Sequence, residues 1–138
     1  MIGLDTNVLA RYYIEDATDA ESARQREAAQ RLIESGNDLL VSKTVLLELE
    51  WVMRGYYGFK PAEVSSVLTH LLSLEHIEIE DRDAVRQAIE SHTAGLDFAD
   101  ALHHAGYRRC DAMATFDDRR FARRARRLGL LPPVTLCG

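Results

Sequence analysis

Short apolar runs alternate along the chain with longer stretches in which apolar residues recur every three to four positions. The runs are Met1-Ile2-Gly3-Leu4, Leu39-Leu40-Val41, His76-Ile77-Glu78-Ile79, Ala112-Met113-Ala114-Thr115 and Val134-Thr135-Leu136, and each reads as a short strand. The stretches between them carry helix signals. Asn7 can cap a helix running through Tyr13, and residues 20–35 are rich in Ala, Glu, Gln and Arg with Gly36 as the stop. Ser42 caps a helix through Leu46, Leu49, Val52 and Met53, and Pro61 sits in the first turn of one through Val64, Leu68, Leu71 and Leu72. Asp81 opens a helix to about Ser91, Asp97 caps another carrying Phe98, Ala101, Leu102 and Ala105, and a last helix covers residues 118–128.

Strands of three or four residues separated by helices predict an α/β fold, a three-layer sandwich around a mostly parallel central sheet. In such folds, ligands collect beyond the carboxyl ends of the strands. A length of 138 residues without repeats or linkers fits one domain, residues 1–138. With 46% hydrophobic and 28% charged residues the chain can bury its own core without disulfides or a structural metal. Cys110 and Cys137 lack CxxC spacing and read as free thiols of a reducing compartment. No apolar run approaches a membrane span and no leader pattern opens the chain, so the expected location is cytoplasmic.

Charge adds an asymmetry. Residues 1–107 hold 9 Lys/Arg against 19 Asp/Glu, whereas residues 108–138 hold 8 against 3. An acidic protein does not coat nucleic acid by charge alone, but Arg119, Arg120, Arg123, Arg124, Arg126 and Arg127 form a local patch able to grip phosphates. The same arginines also read as a solvated helix face.

The acids fall where chemistry is expected. Asp5 closes the first strand, and Asp117 follows the fourth after one intervening residue. Glu48 lies one to two turns into the helix after the second strand, on a stripe shared with Val45, Trp51 and Val52. Asp100 lies in the first turn of the helix that Asp97 starts. Four carboxylates meeting at one sheet edge would repel one another without a cation, and hard divalent ions take oxygen ligands. Each acid has a plainer reading: Asp5 as a helix cap, Asp97 with Asp100 as a capping pair, Glu48 as an arginine partner, Asp117 or Asp118 as the cap of the last helix.

Four blocks in order, IGLDTNVLARYY, SKTVLLELEWVMR, GLDFADALHHA and MATFDDRRFARRA, resemble the PIN-domain nucleases, and among them the VapC-type toxins of bacterial toxin–antitoxin pairs. The resemblance spans nearly the whole chain. It implies catalytic, metal-binding roles for Asp5, Glu48, Asp100 and Asp117, with Asn7 as the polar residue of the first motif. Asp118 rivals Asp117 for the fourth place, Asp97 stands as a cap or outer group, and Thr115 supports the site from its strand. It further implies Mg²⁺ or Mn²⁺, cleavage of single-stranded RNA by a metal-activated water, homodimerisation, and a small VapB-like antitoxin that blocks the site.

Other residues extend this picture. Arg11, Arg119 and Arg120 are candidate contacts to RNA phosphate or to antitoxin carboxylates, and Trp51 is expected to face the core or the antitoxin. Tyr12 and Tyr13 are suited either to base stacking or to packing. His103 and His104, at i+3 and i+4 from Asp100, are within reach of a metal there but are more simply surface histidines. The competing reading is a non-catalytic PIN-like domain that binds RNA or protein. A phosphatase built on an N-terminal Asp nucleophile requires an acid two residues on, and Asn7 stands there.

Overall fold

The computed structural model describes residues 1–15 and 19–138, which form two compact units, Met1–Glu80 and Asp81–Gly138. In the N-terminal unit, strand β1 (Ile2–Gly3) leads into helix α1 (Thr6–Tyr13), and α2 (Ala20–Ile33) precedes β2 (Leu39–Val41). Helix α3 (Lys43–Trp51) continues without a break into a π-helical segment, Val52–Tyr56. Helix α4 (Pro61–Ser73) and strand β3 (Ile77–Ile79) complete the unit. The C-terminal unit holds α5 (Arg82–Thr93), α6 (Phe98–Gly106), β4 (Met113–Thr115), a second π-helical segment (Asp118–Ala122), α7 (Arg123–Arg127) and β5 (Val134–Leu136).

The strands pair in parallel throughout, as the helical crossovers require. In the N-terminal unit, β2 is central, with Ile2 opposite Leu39 on one side and Leu39 opposite Ile77 on the other. The C-terminal unit pairs β4 with β5, Met113 opposite Val134. The expected central sheet is therefore hydrogen-bonded as a three-stranded and a two-stranded piece. Strands this short satisfy few backbone groups each, and the flanking helices supply most of the apolar cover.

Period decides which faces are buried. Leu39 and Val41 alternate inward on β2, and Ile77 and Ile79 do so on β3. Helix α3 and its continuation bury Leu46, Leu49 and Met53, each contributing about 1.5–3 kcal/mol of hydrophobic stabilisation. Helix α1 packs on α2 and α3, and its Leu9 is fully buried. In the C-terminal unit α5 packs on α6, burying Val85, Ala88, Phe98, Ala101 and Ala105.

Helix starts follow side-chain oxygen acceptors. Ser42 Oγ accepts the Val45 amide at 3.3 Å, and Asp97 accepts that of Asp100 at 3.2 Å. The first helix departs from expectation, because its cap is Asp5 and Asn7 lies inside the first turn. The last helix departs too: residues 118–122 are π-helical and only Arg123–Arg127 is α. Asp81, at the head of α5, adopts a left-handed conformation (φ 51°). Arg108 grips its carboxylate with both guanidinium nitrogens at 2.8 and 3.2 Å, offsetting a backbone state that only short polar side chains tolerate well. Among the described residues no helix is long and apolar enough to cross a membrane.

Candidate active site

The first half of the predicted acid set lies in the N-terminal unit, beyond the carboxyl ends of β1 and β2. Asp5 follows β1 and is held at the head of α1, its Oδ1 accepting the Thr6 amide at 2.8 Å. Glu48 stands in the second turn of α3. The two acids line one pocket of about 550 Å³ together with Asn7, Arg11, Asp19, Trp51 and Tyr56. Glu48 is exposed, and among the described residues no donor or cation pairs with it. The expected apolar stripe of Glu48, Trp51 and Val45 is the outer one. The buried side of α3 carries Leu46, Leu49 and, unexpectedly, Glu50, only 2% exposed and paired with Arg54 at 2.8 Å.

Of the two faces expected for Trp51, the core is excluded. Its side chain is not in the core but 61% exposed at the pocket. Leu46, Leu49, Glu50 and Met53 follow α spacing on the buried side, which leaves Trp51 outside, and the π-helical segment that begins at Val52 shifts the phase of later residues only. Met53 is turned inward and fully buried, while Tyr56 is 77% exposed. Arg11 lines the pocket with its Nε donating to Gln25 Oε1 at 2.8 Å, which sets the guanidinium in place.

The second half lies in the C-terminal unit. Asp100, on the first turn of α6, is half-buried, and its carboxyl is raised above the usual carboxylate range. Burial is the main cause, and the negative charges of Asp97 and Asp117 add to it; His103 and Arg124 partly oppose them. Asp117 is positioned twice over. Its amide donates to Thr115 Oγ1 at 3.1 Å, and its Oδ1 accepts the Arg120 amide at 2.9 Å. Thr115 thus braces the acid from β4. Asp118 turns to Arg123 instead, at 2.9 Å. The adjacent pair is therefore split: Asp117 acts on Asp100, whereas Asp118 is occupied by an arginine.

Do these residues fit a divalent ion? In the N-terminal unit an unpartnered Glu48 lining one pocket with Asp5, and in the C-terminal unit an Asp100 carboxyl raised by burial and by its acidic neighbours, are each what a hard cation would relieve. Among the described residues, however, no three His, Cys, Asp or Glu side chains are gathered as a ligand set. The acids fit an ion that keeps most of its waters and needs only one or two carboxylates from the protein.

The family model of the PIN domain matches residues 2–127. The chain belongs to the PIN-domain family. The match runs through both compact units and holds Asp5, Glu48, Asp100 and Asp117 within it. A PIN domain is a nuclease fold, and its members generally use divalent metal ions on nucleic acid. A search of curated proteins finds no match to the chain.

Against this PIN-domain frame several residues escaped sequence reasoning. Asp19 lines the same pocket as Asp5 and Glu48, but it is committed to capping α2, where the Ser22 amide at 2.7 Å holds its carboxyl below the usual range. Its place just before an Ala/Glu-rich helix was the available signal. Glu80, at the carboxyl end of β3, is tied to the Lys43 amide at 2.8 Å. Phe116, between Thr115 and Asp117, is 84% exposed. The remaining candidates resolve into structure. Tyr13 bonds His70 at 2.7 Å and Tyr12 donates to Glu34 at 3.3 Å. His104 is a core residue bonded to the Pro132 carbonyl at 2.8 Å, not a surface one, whereas His103 is exposed. Cys110 and Cys137 are free and exposed.

Proposed function

We propose that this PIN domain is an Mg²⁺- or Mn²⁺-dependent endoribonuclease of VapC type, cutting single-stranded regions of RNA. The observation that carries the reading is the pocket shared by Asp5 and Glu48, two acids far apart in sequence on a chain of this family. Asp5, Glu48, Asp100 and Asp117 are the proposed ligand and catalytic acids. Asn7 lies in the same pocket as Asp5, and Thr115 and Asp97 hold Asp117 and the start of α6. A bound divalent ion lowers the pKa of water and offsets charge building on the phosphoryl oxygens. The protein orients the acids, and Arg11 in the pocket with Arg119 and Arg120 on the surface offers cations to the strand.

The toxin role, a VapB-like antitoxin, a homodimer, a single functional domain over residues 1–138 and a cytoplasmic site of action complete the proposal, and the order of the four sequence blocks supports them. An unaltered set of acids speaks against a non-catalytic RNA- or protein-binding domain.

The test is direct. Purified protein with Mg²⁺ or Mn²⁺ should cleave RNA and EDTA should stop it. Asp5→Asn should cost at least about 100-fold in rate, since groups that only orient a metal ligand already cost about 10- to 100-fold. Full activity in Asp5→Asn would remove the mechanism. Mapping RNA ends after induced expression would identify the target, and unimpaired growth would remove the toxin role.

A further inference from the structure

Trp51 and Tyr56 stand at the mouth of the acid pocket with most of their surface exposed, a costly disposition for two large aromatics unless something covers them. Neither is loose. The indole lies close to Gly55, where an added Cβ would be 3.9 Å from its Cε2 and 4.0 Å from its Nε1, ordinary contact distances. The Tyr56 ring is braced edge-to-face by Tyr57, with centroids 4.9 Å apart. In the same helical run the buried Glu50 carboxylate anchors Arg54 of the π-helical segment, which ties that segment to α3.

The geometry points to Trp51, with Tyr56 beside it, as a stacking platform for an unpaired nucleobase of the strand being cut. It rests on the nucleic-acid reading of the same pocket and adds the residue that selects single strands. The lining decides between possible occupants. An apolar helix of a protein partner wants an apolar floor, but besides Ala10 and Val52 the rings share the pocket lining with Asp5, Asn7, Arg11, Asp19 and Glu48. A base offers a flat π face to the indole and polar edges to such neighbours, while its phosphate can reach Arg11. A duplex hides its π faces and is refused.

Trp51 is the only tryptophan in the chain, so its emission reports on this spot alone. The intact protein, in EDTA at low ionic strength to prevent hydrolysis, is titrated with a short oligoadenylate, with its abasic counterpart of equal length, and with the adenylate paired to oligouridylate. Saturable quenching is expected for the single strand, and little for the abasic strand or the duplex. Trp51→Ala should weaken oligoadenylate binding by about 5- to 150-fold, and Trp51→Phe should recover much of it. Tyr56→Ala should weaken it less. Equal quenching by the abasic strand, or unchanged affinity in Trp51→Ala with an intact circular dichroism spectrum, overturns the platform and leaves the face to a protein partner. Because no cleavage is measured here, a failure of this idea is separable from a failure of the nuclease reading. Metal-dependent cleavage without quenching sinks only the platform, and quenching without cleavage sinks only the nuclease.

Discussion

The Oδ1 of Asp5 accepts the Thr6 amide while the same carboxylate borders the pocket, so one side chain serves both the helix start and the site. Substitution can separate these tasks. Asn keeps an acceptor oxygen, so Asp5→Asn should leave the melting temperature nearly unchanged while activity is lost. Asp5→Ala should lose activity and also about 1 kcal/mol of stability, read by denaturant unfolding. Asp100 behaves oppositely. Its raised pKa means the folded state resists its ionisation, so the stability it contributes is present below the usual carboxylate range and is lost as pH rises through the folded value. At neutral pH without divalent ions, Asp100→Asn should therefore melt higher than the parent, and the gain should fade in acid. A gain independent of pH would refute that cause. Asp117→Ala should depress cleavage far more than Asp118→Ala, since Asp118 is spent on Arg123. Of this residue-level detail, the placement of each acid was legible along the chain: Asp5 after β1, Glu48 in the second turn of α3, Asp100 in the first turn of α6 and Asp117 after β4. The outward turn of Glu48 was not, because a stripe of mixed residues does not say which side faces the core.

At the scale of elements, strands and helices followed from period and caps: β2 and β5 lie where the apolar runs placed them, and α4 begins at Pro61. The π-helical continuation of α3 was invisible, since the stretch Val52–Tyr56 reads equally well in α phase. It begins after Trp51, and it leaves outside Tyr56, which α spacing from Leu49 and Met53 would turn inward. Glu50 was also missed, because a charged residue on a helix is normally assigned to water. Arg54→Ala would leave that carboxylate buried without its partner, at a cost of about 1–3 kcal/mol in chemical denaturation. The cost sits below that of a fully enclosed pair because half of Arg54 reaches solvent. Adding Glu50→Gln should recover part of it. No loss in Arg54→Ala would deny the segment its anchor.

At the scale of the whole molecule, an acidic N-terminal stretch and a basic C-terminal one divide the electrostatic work. Arg119 and Arg120 are exposed and free to meet phosphates, whereas Arg123 is engaged by Asp118 and Arg124 donates to the Gly95 carbonyl. If each of the first two neutralises one phosphate of a single strand, Arg119→Ala with Arg120→Ala should flatten the salt dependence of RNA affinity by about 1.4 in log–log slope. An unaltered slope would make them bystanders. The parallel α/β class was legible from strand length and spacing, but the division of the sheet was not, because pairing partners leave no mark on runs of three residues. That division bears on how the protein is made. Every strand pairing of the three-stranded sheet, and every residue lining the Asp5–Glu48 pocket, lies before Asp81. At about 5–20 residues per second, translating on from Asp81 to Asp117 takes roughly 2–7 s, during which a nascent chain holding Asp5 and Glu48 still lacks Asp117. On the nuclease reading, the ribosome that builds this enzyme is spared its activity until Asp117 has been translated.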